Sequence, residues 1–325
     1  MRRDITNPIS QKMRIQKEYI QRQMQPLKSA TAGGYPAAIE DYFEHYGLNI
    51  GEDGIEHYFG SLPSGDILLA GHICRVERAK GCVVCLHGYM HHCGQLKHLI
   101  RNLVGNGYSA AAFDLPGHGL SGGEESAIED FGQYRRAMSD FFDAVKQYCA
   151  GPYHFAGFSL GAAIGIDHLL NTNEKMFEKV VLAAPLLRWS LYEQSKGTFA
   201  IYSRFTSRIP RFFQKNSSDK EFLVFNRTAD YLHRRHLSLK WVKALFDWNE
   251  MIEKAGACPG PALVLQGDAD GTVQWEHNVS AVREKLPNAR IEMIEGARHE
   301  LFNESPQYRD KTLKTIERYL EDGIL

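Results

Sequence analysis

The chain lacks a long apolar run and lacks an excess of charge of either sign. No apolar stretch approaches the ~20 residues that a helix needs to cross a bilayer, and residues 1–6 have no apolar core of the kind found in a secretory signal. The 38 basic residues are balanced by 39 acidic ones, so the strongly basic face expected of a nucleic-acid-binding protein is missing. These absences predict a soluble, cytoplasmic protein without a nucleic-acid partner.

Cysteine is present, but the positions of the cysteines show no disulfide pattern. Six cysteines are scattered over the 325 residues, which favours a reducing compartment. Cys82 and Cys85 have the spacing of a redox pair, but residues three apart on a strand point to opposite faces, so we expect both to pack as small apolar side chains. Residues 87–93 hold three histidines and one cysteine. Because no second Cys/His pair with zinc-finger spacing accompanies them, we expect no metal site.

A serine between two glycines is the most informative motif. Residues 157–161 read Gly-Phe-Ser-Leu-Gly and follow a short apolar run, which is the nucleophile-elbow pattern. So sharp a strand-to-helix turn presses its neighbours close, and the positions that flank Ser159 must therefore lack side chains. The predicted helix at Leu160–Leu170 would point its N-terminus at the serine and favour a developing negative charge. A serine between glycines is by itself usually part of an ordinary turn. The assignment of Ser159 as a nucleophile therefore depends on whether an acid and a histidine accompany it.

An acid and a histidine follow the serine in the order Ser, Asp, His, each after a predicted strand. The run Ala262–Gln266 reads as a buried parallel strand that delivers Asp270 at its carboxyl end, with Asp268 as the weaker candidate. The run Arg290–Ile294 reads as a further strand, and His299 follows it. This order and placement suit a nucleophile, acid and base that act together.

Two alternatives concern the same residue types. Asp270 would also suit the N-cap of a helix that begins near Val273. His118 lies in a turn rich in glycine and proline, but it precedes Ser159 in the chain, which argues against it as the base. We expect His118 to have a structural or pocket-lining role.

The three residue types complement one another chemically. A serine hydroxyl is a poor nucleophile at neutral pH, so the imidazole of His299 would take its proton and later return it to the leaving group. The carboxylate of Asp270 would fix the imidazole tautomer and stabilise the transient imidazolium. Two backbone N–H groups would bind the oxyanion, one from Leu160 and one from Tyr89 in the loop after the strand at residues 81–86.

Strands and helices alternate along most of the chain. Strands are predicted at residues 54–60, 67–76, 81–86, 109–114, 153–158, 179–184, 262–266 and 290–294. With helices between them, for example at Phe131–Tyr148 and Tyr308–Leu320, they predict an α/β fold with an eight-stranded, mostly parallel, doubly wound sheet. Its active site should open at the carboxyl ends of the strands.

Three parts of the chain follow from this pattern. Residues 1–53 are an N-terminal extension, residues 54–187 and 259–325 form the α/β core, and residues 188–258 form an inserted helical cap. The cap interval lacks a good buried strand and would exclude water and shape an acyl pocket.

Two basic segments suggest contact with a membrane surface. Cap residues Arg204, Arg208, Arg211 and Lys215 recur at near-helical spacing among Phe199, Tyr202, Phe205, Ile209, Phe212 and Phe213. This mixture suits a face that contacts anionic lipid, although an ordinary solvated side of a cap helix is the alternative. Residues 1–28 carry seven basic and two acidic side chains, a local charge of +5 that would suit the inner face of a membrane. Their thin apolar stripe favours a surface-packed extension.

Five motifs together resemble the α/β-hydrolase superfamily. They are His87-Gly88, Phe-Asp-Leu-Pro-Gly-His-Gly at 113–119, Gly-Phe-Ser-Leu-Gly at 157–161, Gly-Asp-Ala-Asp at 267–270 and Gly-Ala-Arg-His-Glu at 296–300. Within the superfamily the pattern looks most like the branch of monoacylglycerol lipases and bacterial lysophospholipases, over residues 55–322. The resemblance implies the triad Ser159, Asp270 and His299, with Tyr89 and Leu160 supplying the oxyanion N–H groups.

The resemblance also extends to the cap and has departures. Asn226, Thr228 and Asp230 look like a feature of the branch. Many members of the branch carry His before the nucleophile and Met after it, where this chain has Phe158 and Leu160.

The predicted function is hydrolysis of carboxylic esters through an acyl-enzyme. The expected substrate is a lipid-like monoacyl ester, as for a lysophospholipase or a monoacylglycerol lipase, and no metal or organic cofactor is expected. Two alternatives stay open. One is an amide or small-peptide hydrolase that uses the same triad, and the other is a ligand-binding homologue that senses a small molecule without useful turnover.

Overall fold

A computed structural model describes residues 8–29, 34–51, 54–172, 175–210 and 214–322. The strands are β1 (Lys28–Ser29), β2 (Ile55–Ser64), β3 (Ile67–Val76), β4 (Cys82–Leu86), β5 (Ser109–Phe113), β6 (Tyr153–Phe158), β7 (Lys179–Ala183), β8 (Arg208–Pro210), β9 (His236–Ser238), β10 (Leu263–Gly267) and β11 (Arg290–Ile294). The helices are α1 (Pro8–Gln23), α2 (Ala37–Tyr46), α3 (Lys97–Gly105), α4 (Gly132–Tyr148), α5 (Leu160–Asn171), α6 (Tyr192–Tyr202), α7 (Lys220–Thr228), α8 (Leu239–Lys254), α9 (Trp275–Lys285) and α10 (Pro306–Asp322).

One large sheet organises the fold. Its strand order is β1-β2-β3-β5-β4-β6-β7-β10-β11, with parallel pairing from β5 to β11 and antiparallel pairing among β1, β2, β3 and β5. The expectation of a mostly parallel α/β-hydrolase sheet is confirmed, and all eight predicted strands are present. The two-residue strand β1 adds a ninth, and β2 runs to Ser64, four residues beyond its predicted end.

Helices cover both faces of the sheet. The core on one face includes side chains of α4, α5 and α8, whereas the core on the other includes side chains of α2, α3 and α10. Along β4, Cys82 faces the first core and Cys85 the second, as the period of two predicts. No helix among the described residues is long and apolar enough to cross a membrane.

Within the N-terminal segment, helix α2 packs into the fold through one apolar face. The side chains of Ile39, Tyr42, Phe43 and Tyr46 on α2 are all at most 3% exposed. They recur at helical spacing and pack into the second core, so α2 buries one apolar face. Arg2 and Arg3 of the predicted basic segment lie outside the described residues.

The interval between β7 and β10 is mainly helical. It contains α6, α7 and α8, and β8 pairs with β9 in a small antiparallel sheet that the sequence did not suggest. Helix α8 begins with Ser238 as its N-cap, whose hydroxyl accepts from the N–H of Trp241, and buries one face against the core. We refer to residues 188–258 as the cap.

Candidate functional site

The serine motif forms a strained turn between β6 and α5. Ser159 has φ 51°, a left-handed conformation that is costly for a residue with a side chain. Its neighbours explain the flanking glycines. A Cβ at Gly157 would lie 2.4 Å from the carbonyl oxygen of Gly161, and one at Gly161 would lie 2.3 Å from the carbonyl oxygen of Leu86. Only glycine fits at either position, so the sequence requirement is steric.

The structure brings the three predicted residues into one chain of hydrogen bonds. Ser159 Oγ lies 3.0 Å from His299 Nε2, and His299 Nδ1 lies 2.7 Å from Asp270 Oδ2. All three follow strand ends at one edge of the sheet, because β6, β10 and β11 are parallel. The three residues are at most 6% exposed, so their hydrogen bonds are almost fully shielded from water.

Asp270 is held as an anion that faces the histidine. Burial alone would raise its pKa, but the charge and hydrogen bond of His299 and the backbone N–H of Thr272 hold the pKa below its usual value. The Nε2 of Gln266, at the end of β10, donates to the same Oδ2 at 3.1 Å. Sequence reasoning missed this contact of Gln266, which is buried at the strand end just before Gly267.

The structure separates the two acidic candidates. Asp268 Oδ1 accepts from the N–H of Gly296 at 2.6 Å and has no hydrogen bond to His299 among those of the described residues. Asp270 is not a helix N-cap, because α9 begins only at Trp275 and Gln274 occupies the capping position. Its Oδ1 instead accepts the backbone N–H groups two and three residues further on, which closes a tight turn.

The two residues predicted to supply oxyanion donors flank Ser159. Leu160 is the first residue of α5, so its N–H belongs to the helix N-terminus, where backbone dipoles favour negative charge. Tyr89 follows Gly88, at which a Cβ would lie 3.3 Å from Ser159 Cβ. The loop after β4 therefore passes directly beside the serine.

The histidines near this loop are engaged within the protein. His87 Nε2 accepts from the N–H of Leu115 at 3.0 Å, so its Nδ1 donates to the carbonyl oxygen of Gly88 at 2.7 Å. Burial lowers the pKa of His87 to about 4 and holds that of His118 well below its usual value. In the part of the chain that the structure describes, no three His, Cys, Asp or Glu side chains are grouped as metal ligands.

A buried histidine–carboxylate contact next to Ser159 and His299 was also missed. His91 Nε2 lies 3.2 Å from Glu300 Oε1, and both side chains are at most 5% exposed. Glu300 directly follows His299, and the ring of His91 stacks on Phe158, the residue before Ser159. Asn216 of the cap donates to the same carboxylate oxygen at 2.7 Å. The only sequence signal was the proximity of Glu300 to the predicted base.

The sequence is similar to known hydrolases over most of its length. Residues 77–306 match the family Hydrolase_4, described as "Serine aminopeptidase, S33". The chain is 25% identical to a monoglyceride lipase homolog of Monkeypox virus over 260 residues, which cover 75% of this chain and 91% of the viral protein. It is 23% identical to a probable lysophospholipase L2 of Haemophilus influenzae, over 86% of this chain and 98% of that protein.

A solved structure supports the fold. The chain superimposes on a soluble variant of the monoglyceride lipase of Saccharomyces cerevisiae, determined with a substrate analogue, at a TM-score of 0.70 and 17% identity. The match covers 80% of this chain and 94% of the yeast protein. With the family match over most of the core, the chain belongs to the Hydrolase_4 family and is a serine hydrolase of the α/β-hydrolase superfamily, in the branch of the monoglyceride lipases and lysophospholipases.

Proposed function

We propose that this enzyme cleaves carboxylic esters of monoacyl lipids through an acyl-enzyme on Ser159. The single observation that carries the proposal is the hydrogen-bonded chain from Ser159 Oγ through His299 to Asp270. The names of the relatives, monoglyceride lipase and lysophospholipase, support a lipid ester as the substrate class.

The proposed mechanism uses each member of the chain in turn. His299 Nε2 takes the proton of Ser159 as the hydroxyl oxygen attacks the ester carbonyl, and Asp270 stabilises the imidazolium through Nδ1. The backbone N–H groups of Leu160 and Tyr89 bind the oxyanion of the tetrahedral intermediate. His299 returns the proton to the leaving alcohol, and a water molecule activated in the same way then hydrolyses the acyl-enzyme.

Hydrolysis of a p-nitrophenyl ester series from acetate to palmitate, by wild type and by Ser159→Ala, tests this proposal. We expect turnover by wild type and a fall of about 10⁶-fold in kcat in the variant, because the serine provides the attacking oxygen. The chain-length optimum reports the depth of the acyl pocket. Equal activity in Ser159→Ala would exclude this residue as the nucleophile.

The family description gives the amide alternative a specific basis, since it names a serine aminopeptidase. The matched p-nitroanilides of short acyl groups and of single amino acids distinguish the two chemistries. Cleavage of the amino-acid anilides at a higher kcat/KM than the esters would overturn the ester proposal. If wild type cleaves neither series but its melting temperature rises with an added acyl ligand, the enzyme would instead be a sensor.

We also propose that the cap contacts a lipid surface. Ile201, Tyr202 and Phe205 are 62%, 54% and 84% exposed, and the exposed Arg204 lies among them. An exposed apolar group with an adjacent cation suits an anionic interface. Part of the predicted face does not contribute, because Phe199 packs on Phe246 at a 5.6 Å ring separation. The predicted Arg211, Phe212 and Phe213 lie outside the described residues.

Replacing Phe205 by serine is expected to lower binding to anionic vesicles several-fold, since it removes the most exposed apolar side chain of this group. Co-sedimentation with phosphatidylglycerol–phosphatidylcholine vesicles measures the effect. Val224→Ser is the matched control, because Val224 is an apolar cap residue that is 61% exposed but lies on α7. Equal loss in both variants, or no loss in either, would contradict a specific lipid-facing site.

A further inference from the structure

Asp230 is a buried carboxylate that joins three parts of the chain. It lies in the cap after α7 and is 1% exposed. Its oxygens accept from the hydroxyl of Tyr46 on α2 at 2.9 Å, from His92 Nε2 at 3.1 Å and from Gln95 Nε2 at 2.8 Å. The backbone N–H groups two and three residues further on each donate at 3.0 Å. We call Asp230, Tyr46, His92 and Gln95 the Asp230 cluster.

The buried carboxylate is surrounded by donors. Burial alone would raise the pKa of Asp230, but its contact with His92 and the hydrogen bond of Gln95 hold the pKa well below its usual value. A buried anion is stable only when its lone pairs are satisfied, so its donors are held in fixed positions. His92 Nδ1 accepts from the N–H of Gly94, which leaves Nε2 as the donor to the carboxylate.

The loop between Leu86 and the 3₁₀ turn at Cys93–Leu96 has no helix or strand of its own. Met90 within it has φ 65°, a left-handed conformation. The position of such a loop depends on the contacts of its side chains and backbone groups. The loop passes so close to Ser159 that a Cβ added at Gly88 would lie 3.3 Å from Ser159 Cβ, so a shift of this loop changes the surroundings of the serine directly.

Cap groups hold this loop near both of its ends. At one end, the ring of Tyr89 stacks on Trp241 of α8 with a centroid distance of 3.6 Å. At the other end, Asp230 binds His92 and, through Gln95, the start of the following helical turn. Gln95 also donates to Asn226 of α7 at 2.9 Å. The cap therefore fixes the segment that carries the Tyr89 N–H.

We propose that Asp230 is a positioning residue for the oxyanion site, because it holds His92 and thereby the distance between the Tyr89 N–H and Ser159. The inference rests on the proposed function, in which that N–H binds the oxyanion. It also gives the N-terminal segment a part in catalysis, since the hydroxyl of Tyr46 is one of the donors that hold Asp230. Because the oxyanion forms only in the transition state, loss of this positioning should lower kcat and leave KM nearly unchanged.

Asp230→Asn tests the proposal. The variant keeps the shape of the side chain, but its amide N–H₂ replaces one carboxylate oxygen and faces groups that are themselves hydrogen-bond donors. Loss of one oxyanion donor lowers kcat by about 10²–10³-fold, so we expect a displaced donor to cost about 10–100-fold in kcat with KM within about 3-fold of wild type. The affinity of an alkyl trifluoromethyl ketone, which forms an oxyanion on the serine, should fall by the same factor as kcat. Tyr46→Phe should shift both quantities in the same direction by about 5-fold.

Asp219→Asn is the matched control for the loss of a negative charge from the cap. Asp219 is also a cap carboxylate, but it accepts from the N–H of Phe222 as the N-cap of α7 and is not part of the Asp230 cluster. We expect its kcat, inhibitor affinity and melting temperature all to stay close to those of wild type, with kcat and affinity within about 2-fold, because asparagine caps a helix about as well as aspartate does. Equal losses of kcat in Asp219→Asn and Asp230→Asn would overturn the proposal, as would an unchanged kcat in Asp230→Asn.

Two further readouts keep this inference separate from the proposed function. If Asp230→Asn does not fold, Tyr46→Phe tests the positioning role instead. A lower kcat at an unchanged KM would support the role, whereas a change confined to KM or to the melting temperature would overturn it. If wild type cleaves no ester, the proposed function fails, but the ketone adduct still reports on the oxyanion site. Ketone affinity that does not change between wild type and Tyr46→Phe would then overturn the inference by itself.

Discussion

Asp270→Asn is expected to lower kcat for ester hydrolysis by about 10⁴-fold with little change in KM. The carboxylate accepts a hydrogen bond from the Nδ1–H of His299 at 2.7 Å, so Nε2 is the ring nitrogen that accepts from the Ser159 hydroxyl at 3.0 Å. An asparagine can present its amide N–H₂ to Nδ1, which stabilises the tautomer that cannot act as a base. Steady-state kinetics with p-nitrophenyl butyrate measure the loss, because this soluble ester does not depend on vesicle binding.

Asp268→Asn provides the control within the same loop. Asp268 is exposed, and its Oδ1 accepts from the N–H of Gly296, a contact that an asparagine oxygen can also make. We therefore expect kcat within about 3-fold of wild type, since the variant keeps the hydrogen bond that Asp268 makes. A large loss of kcat in Asp268→Asn together with a small one in Asp270→Asn would reverse the assignment of the acid.

The sheet and the three hydrogen-bonded residues were predictable because their signals are local. Each of the eight predicted strands is visible in the sequence as a short, mainly apolar run. Ser159, Asp270 and His299 each follow such a run within a few residues. Parallel strands place their carboxyl ends together, so the order along the chain was enough to bring the three residues to one edge. The glycines at positions 157 and 161 were a further local signal, because a sharp strand-to-helix turn leaves no room for side chains there.

The supporting contacts were not predictable because they join residues far apart in the chain. His92 and Asp230 are 138 positions apart, and Tyr46 and Asp230 are 184 apart. Nothing in the local pattern around Asp230 shows that it is buried, and an aspartate in a polar segment usually lies on the surface.

Gly161→Ala is expected to lower the free energy of unfolding by about 3 kcal/mol, the upper range for overpacking, because the new Cβ would lie 2.3 Å from the carbonyl oxygen of Leu86. That oxygen ends β4, so the clash involves backbone that cannot rotate away. Relief requires α5 to move from the sheet, which shifts Ser159 relative to His299 and lowers kcat by about 10²-fold. Denaturant titration and kcat with p-nitrophenyl butyrate measure both effects.

Gly197→Ala separates this steric effect from the general effect of adding a methyl group to a helical glycine. Gly197 lies inside α6, and no atom lies within 4 Å of the position of its Cβ. Because alanine restricts the unfolded chain and favours a helix, this variant should gain about 0.5–1 kcal/mol in the free energy of unfolding and keep its kcat. If the close approach of α5 to β4 fixes the serine turn, the free energy of unfolding should fall in Gly161→Ala and rise in Gly197→Ala. An unchanged free energy of unfolding and kcat in Gly161→Ala would mean that the turn tolerates a wider separation of α5 and β4.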